Sequence, residues 1–276
     1  MQTKIMTIFT RTPLHVGAGS SIGAVDQPVI RERHTRFPVI PGSAVKGVLR
    51  DYADEQSIAD IETLFGHEPA GKDDKAYAGA VGFGEARLLA FPLRSAKGSF
   101  ALATCPLALA RFARDAEKPY DVPQVKDNEC LASSAVTLDG NKVALEEYIF
   151  DVKKDDGDFP DDWAECLSGL IDDVVLKEAK THFVLLSDGD FSYFAQNACQ
   201  VQHHNRIDPE TGTVVGSALF NTETVPSETL FYAPFHAIRA DYADNELFRH
   251  FAEAERLLQF GGDGTTGLGF CTCKLC

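Results

Sequence analysis

No stretch of this chain approaches the ~20 consecutive apolar residues that a bilayer-spanning helix needs, so no membrane partner is expected. The amino terminus, MQTKIMTIFTR, lacks the unbroken apolar core of a secretory signal, and the expected location is the cytoplasm. Cysteine is sparse: seven residues, an odd number, at 105, 130, 166, 199, 271, 273 and 276. That pattern excludes the framework of a disulfide-stapled secreted domain. The terminal CTCKLC offers three sulfurs with no paired CxxC elsewhere, short of a zinc site, and its alternation reads as buried cysteines on one pleat face of a strand. Positive charge is also scarce, with 26 Lys and Arg against 41 Asp and Glu and a net charge of −15. Adhesion to a polyanion through total charge is therefore disfavoured, and any such partner must meet a local patch.

Complete nucleotide motifs are missing as well. GAGSSIG, with Gly17, Gly19 and Gly23, is one position off GxGxxG and runs into a loop, not a helix. GGDGTTGLG (261–269) lacks the GK[ST] ending of a phosphate-binding P-loop. Tight binding of a mononucleotide is not expected. Each glycine loop reads either as a turn needing positive φ or as a place where main-chain amides come close to a phosphate chain.

What is present is a folded chain of 276 residues, 44% apolar, with no internal repeat and no low-complexity linker. TKIMTIFT (3–10) reads as a first strand. PGSAVKGVLRDYADE places Val45, Val48, Leu49, Tyr52 and Ala53 at helical spacing, with Ser43 as the expected N-cap. Residues 80–93 and 99–106 read as a strand pair, 106–116 as a short helix opening on Pro106, and 182–188 as a further strand. From 117 to about 180 the chain reads as an irregular acidic insertion, densest in aspartate at DVKKDDGDFPDDW. A long hairpin is expected over 197–229, turning at DPETG and leading into TLFYAPFHAI. A helix over 245–260 aligning Leu247, Phe251, Ala254 and Leu258, then a strand over 268–275, complete the pattern. Without the insertions the order approximates a β-α-β-β-α-β plan, an α+β fold with one core carrying large excursions.

Residues 27–50 hold Arg31, Arg33, Arg36, Lys46 and Arg50 against one acid, Glu32. Lys46 and Arg50 are i and i+4 near the expected helix N-terminus, a place that favours anions. From spacing alone, a solvated basic face and a phosphate-binding strip are equally good readings. Adjacent His203 and His204 would point to opposite faces of a strand and not share an ion, leaving Arg206 as the better candidate for a binding contact there.

LHVGAGSSIGAVDQPVIRERHTRFPVIPGSAVKGVLR, RIDPETGTVVGSALFNTETVPSETLFYAPF and LLQFGGDGTTGLGF together resemble the RAMP superfamily. More narrowly, they resemble the backbone subunits of the type III-B CRISPR effector, the Cmr complex. The likeness covers both ends and the middle of the chain; the acidic stretch lies outside it. It implies a ferredoxin-like, RRM-like palm with a β-hairpin thumb, copies stacking along a CRISPR guide RNA in a helical filament, and other Cmr subunits as partners. It further implies cleavage of complementary target RNA at regular intervals where the thumb wedges the duplex open, with Val201, Ile207 and Val214 as wedge candidates.

The resemblance assigns the cut to Asp26, with a divalent metal, Mg²⁺, for which Asp26 is the candidate ligand. In-line attack by the RNA's own 2′-hydroxyl, assisted by Asp26, is the expected chemistry. By position alone an ordinary loop aspartate making a local turn hydrogen bond is the better reading of Asp26, and the resemblance reverses that order. His15 is either a proton donor to the leaving oxygen or a packed structural histidine. Glu223 and Tyr232 are further candidates. Gly17, Gly19, Arg31, Ser43, Lys46, Arg50, Arg206, Gly262, Gly264 and Thr265 are the expected RNA contacts. The alternatives are a non-catalytic RNA-binding scaffold of such an effector and a metal-independent guide-processing endoribonuclease.

Overall fold

The structure, a computed structural model, describes residues 2–19, 23–67, 75–216 and 219–276. Residues 20–22 of the first glycine loop and 217–218 of the expected hairpin lie outside the described residues. In chain order the first half comprises β1 (Gln2–Thr10), β2 (Val39–Ile40), α1 (Gly42–Glu55), α2 (Ile61–Phe65), β3 (Gly66–His67), β4 (Tyr77–Ala78), β5 (Val81–Phe83), β6 (Ala86–Arg94), β7 (Phe100–Thr104) and α3 (Pro106–Asp115). There follow β8 (Glu129–Ala132), β9 (Lys142–Leu145), β10 (Tyr148–Val152), α4 (Asp161–Ser168), α5 (Val174–Glu178), β11 (Phe183–Leu185) and α6 (Asp188–Asn197). The chain ends with β12 (Gln200–His204), β13 (Phe220–Thr224), β14 (Leu230–Ala237), α7 (Glu246–Glu253), β15 (Arg256–Gln259) and β16 (Phe270–Leu275).

β1 sits inside the sheet, antiparallel to both β14 and β16, and is buried on both faces. Its period of two sends Met6 and Ile8 into one core and Ile5 and Phe9 into the other. One large sheet runs β15-β16-β1-β14-β6-β7-β11-β8-β10-β9, with β2 on β6 and β5 on β14. All its strand pairs are antiparallel except β7 with β11 and β8 with β10. Val45 and Leu49 of α1, Phe191 of α6 and Phe251 of α7 fill one core. Phe112 of α3, Trp163 of α4 and Leu176 of α5 fill the other. No described helix is long and apolar enough to cross a membrane.

The acidic segment departs from expectation: it is built structure, not an irregular loop. β8, β9 and β10 extend the sheet beyond β11. Beneath them Phe159, Trp163, Leu167 and Ile171 are buried, and the indole donates to the Asp121 carbonyl at 2.9 Å. Its aspartates mark edges: Asp161 and Asp162 occupy the first turn of α4, where the helix dipole favours them, and the Asp173 carboxylate caps α5.

Three further expectations are corrected. The helix over 245–260 ends at Glu253, Ala254 is extended, and Arg256–Gln259 pairs with β16. Leu258 satisfies a period of two as well as 3.6, and pairing with the last strand decides between them. Ser43 is not the cap of α1; Pro41 holds that position without a side-chain bond, and Gly42 stands where a Cβ would lie 2.5 Å from the Phe83 carbonyl. The helix α6, capped by the Ser187 hydroxyl, was not anticipated. The terminal strand does bury Cys271 and Cys273, and that burial pushes both thiols up.

Candidate functional site

After β1 the chain doubles back against the base of the β12–β13 hairpin. Isolated bridges join Leu14 to Val225, Gly17 to Val29 and Gln27 to Thr222. Glu223 of β13 is the hub of this crossing. Its Oε2 accepts from the Val29 amide at 2.9 Å, and its Oε1 accepts from Arg31 Nη2 at 2.6 Å. Its main-chain oxygen meets His15 Nδ1 at 2.7 Å. A carbonyl only accepts, so Nδ1 carries the hydrogen and the neutral ring keeps its lone pair on Nε2.

Both glycine loops close on this histidine. A Cβ on Gly17 would lie 2.9 Å from His15 Nε2, and one on Gly261, where φ is +76°, would fall 2.0 Å from the His15 carbonyl oxygen. That same oxygen accepts from the Gly262 amide at 2.9 Å. Gly264 packs on the Gln259 side chain, and Gly19 and Thr265 lie open at the surface. Much of the second loop's glycine content thus serves chain packing. Gly17→Ala is expected to push the imidazole off Glu223 and cost about 1 kcal/mol for the lost hydrogen bond. Loss of the slowly exchanging Nδ1–H signal in imidazole ¹⁵N spectra checks this; an unmoved signal would contradict the packing.

Asp26 is exposed on the loop that runs alongside β13 and is held there by Asn221, which lies two residues before Glu223 on that strand. The Asn221 amide donates to Asp26 Oδ2 at 2.9 Å, and the Asp26 amide donates to Asn221 Oδ1 at 2.7 Å. Asn221 was missed by sequence reasoning; its one signal is a residue poorly suited to strands standing in FNTET. The structure therefore gathers Asp26, His15, Gly17, Arg31, Glu223 and Gly262 round one hairpin base.

Other candidates fall elsewhere. Tyr232 is a correction: it is wholly buried on β14 in the second core, where its hydroxyl donates to Asp115 at 3.1 Å. Burial and the Asp115 charge push its phenol up. Arg31 is spent inward, donating to Glu223 and to the carbonyls of Ala195, Gln196 and Arg36. Arg33 and Arg36 are instead exposed and make no ion pair among the described residues. Lys46 and Arg50 are half-exposed on α1, Arg50 reaching the Gly66 carbonyl only at 3.5 Å, and Ser43 is exposed beside them.

The hairpin leaves the body with apolar residues outward. Ile207 and Val214 bridge across it at 52% and 48% exposure, and Val201, Leu219 and Phe220 are also exposed. His204 stacks on Phe220 with ring centroids 5.0 Å apart. Asp208 accepts from the amides of Glu210 and Thr211, which holds its carboxyl below the usual range and sets the DPETG turn. Arg206 is exposed beyond the strand end.

Among the described residues no three His, Cys, Asp or Glu side chains are arranged to hold a metal ion. A divalent ion would find one open carboxylate in Asp26, since both Glu223 oxygens are occupied. The described residues alone do not make up the ligand set of a resident metal.

A mostly antiparallel sheet covered by helices on both faces, with glycine loops, a histidine and an open carboxylate meeting at the base of a projecting hairpin, defines the class. The chain belongs to the RAMP superfamily, whose match spans residues 7–272. Over its full length it is similar to the CRISPR system Cmr endoribonuclease Cmr4 of Pyrococcus furiosus, 36% identical over 290 aligned positions that cover 100% of this chain and 96% of that one. The crystal structure of oligomeric Cmr4 from the same organism superposes with a TM-score of 0.78 at 30% identity, covering 100% and 98%. A component of the type III-B Cmr-beta complex bound to cognate target RNA shares the fold, with a TM-score of 0.72 at 18% identity and coverage of 100% and 97%.

Proposed function

We propose that this chain is an endoribonuclease and backbone subunit of a type III-B CRISPR effector, working in the cytoplasm. Copies assemble side by side with other Cmr subunits along a guide RNA and cut the complementary target. The observation that carries the reading is the open Asp26 carboxylate pinned to a hairpin base, in a chain 36% identical throughout to a protein named a Cmr endoribonuclease. The order β16-β1-β14-β6, with α1 between β1 and β6 and α7 between β14 and the last strands, supports a ferredoxin-like, RRM-like palm. The apolar hairpin supports a thumb, with Val201, Ile207 and Val214 placed to part stacked bases.

In the proposed cut Asp26 takes the proton of a target 2′-hydroxyl, whose oxygen attacks the adjacent phosphorus in line. The 2′-O–P bond forms and the P–O5′ bond breaks, leaving a 2′,3′-cyclic phosphate and a 5′-hydroxyl. His15 can supply the leaving oxygen's proton from Nε2 only as imidazolium, because Nδ1–H stays with the Glu223 carbonyl. A divalent ion, were one bound with the RNA, would supply charge neutralisation at the phosphate, and among the described residues here Asp26 is the carboxylate left open to hold it; the reaction as written proceeds through the protein's own groups. Glu223 and Arg31 brace the loop. Arg33, Arg36, Lys46, Arg50 and Arg206 carry the guide phosphates, with Gly17, Gly19, Ser43, Gly262, Gly264 and Thr265 admitting the strand.

Assembled complex incubated with labelled complementary RNA tests the function: regularly spaced cuts are expected. An intact target points to a scaffold, and cutting of a repeat-hairpin precursor by the isolated subunit points to guide processing. Replacing Lys46 and Arg50 together by alanine is expected to weaken guide-length RNA binding and to flatten the log–log salt dependence by about 1.4, two phosphate contacts on a single strand. Filter-binding across a salt series measures both, and an unchanged slope would remove these residues from the RNA path.

A further inference from the structure

We infer that Asn221 is the positioning residue of the Asp26 carboxylate, and that the loop bearing Asp26 is registered on the hairpin rather than on the large sheet. The inference rests on the proposed role of Asp26. Residues 24–27 run alongside β13 through a continuous set of bonds. The Asn221 amide holds Asp26 Oδ2 at 2.9 Å, its Oδ1 takes the Asp26 amide at 2.7 Å, and its Nδ2 reaches the Ala24 carbonyl at 3.3 Å. The Gln27 amide then donates to the Asn221 carbonyl at 3.1 Å, and the Glu223 amide donates to the Gln27 carbonyl at 2.9 Å. The Thr222 hydroxyl meets Gln27 Oε1 at 3.2 Å.

The chemistry of this clamp asks for an amide. One side-chain atom must accept from a backbone N–H while the other donates to a backbone carbonyl, and neither should carry charge beside Asp26. Asparagine meets all three conditions with one short side chain. Alanine meets only the last. Aspartate keeps the acceptor for the Asp26 amide but turns an anionic oxygen towards the Ala24 carbonyl and sets a second carboxylate next to the first. The clamp takes Oδ2 and does not involve Oδ1, so it fixes the direction in which the other oxygen is offered. Because Asn221 is the second residue of β13, whatever displaces the hairpin carries Asp26 with it.

The test uses the full chain assembled with guide RNA and its partner subunits, a labelled complementary RNA, and single-turnover rates across pH. Asn221→Ala is expected to slow cutting by about 10- to 100-fold, the scale of a group misplaced by an ångström. Target affinity and melting temperature should stay near those of the unaltered complex. Asn221→Asp is expected to move the acid limb of the pH–rate profile to higher pH, since a neighbouring carboxylate disfavours ionisation of Asp26, with the rate recovering in alkali. A wild-type rate in Asn221→Ala, or equal loss of binding, melting temperature and rate, overturns the inference. Asp26→Ala in parallel separates the two ideas: if it is inactive while Asn221→Ala is fully active, only the clamp fails; if it still cuts, the reading of Asp26 itself fails.

Discussion

Asp26→Ala is expected to reduce target cutting by the assembled complex at least about 100-fold, within the 10²–10⁴ range for removal of a positioned general base. Guide and target binding should change less than about twofold, since an exposed carboxylate does not attract a polyanion. The fold should tolerate the change. Asp26 buries nothing, and the amide it releases on Asn221 is solvent-accessible, so the stability cost is held to about 1 kcal/mol or less. Asp26→Asn sharpens the result: its amide oxygen can still accept from the Asn221 N–H, so the loop stays in place while the charge and basicity are lost. Both variants should bind and fail to cut in a gel assay of labelled target. Retained cutting in Asp26→Asn would show that the carboxylate is not the base.

The parts of this fold that could be read from the sequence are those in which local period and tertiary partner agree. β1, α1, the β6–β7 pair, the Pro106 helix and the cysteine-bearing last strand are of this kind. Where they conflict, the partner wins. RLLQF fits the end of a helical stripe, yet its backbone pairs with Phe270–Cys273 because the last strand otherwise lacks a neighbour on that side. The acidic segment was unreadable for a different reason: its aspartates dominate composition, while its structure depends on a few well-spaced apolar residues, Phe159, Trp163, Leu167 and Ile171.

At the site, Asp26 is nameable through family likeness, His15 and Glu223 through their places beside the loop and the hairpin base, and the glycine loops through composition. Which of them meet was not, because the contacts join residues some 200 positions apart, as in His15 with Glu223 and Asp26 with Asn221. Arg31 shows the limit most clearly. In sequence it is one of five basic residues in a positive strip, and only the fold reveals that a buried glutamate and three carbonyls have claimed it.

Glu223→Ala is therefore expected to damage stability more than chemistry. The Arg31 and Glu223 side chains are only 7% and 11% exposed, so water and salt screen the pair little. Removing the carboxylate strands a buried guanidinium and leaves the Val29 amide without its acceptor. Breaking a buried pair from one side costs about 3–5 kcal/mol, and at about 2–4 °C per kcal/mol for a chain near this size the melting temperature should fall by roughly 10 °C. Replacing both partners, Arg31→Met with Glu223→Ala, should restore part of that loss, because the stranded charge disappears with its partner. Thermal melts of the two single variants and the double variant measure the coupling. Glu223→Gln then distinguishes brace from catalyst. As a brace, the glutamine keeps one acceptor for Arg31 or Val29 and loses the charge, so melting temperature and rate decline together. If cutting were abolished with the melting temperature unmoved, Glu223 would belong to the chemistry and the bracing role would be wrong.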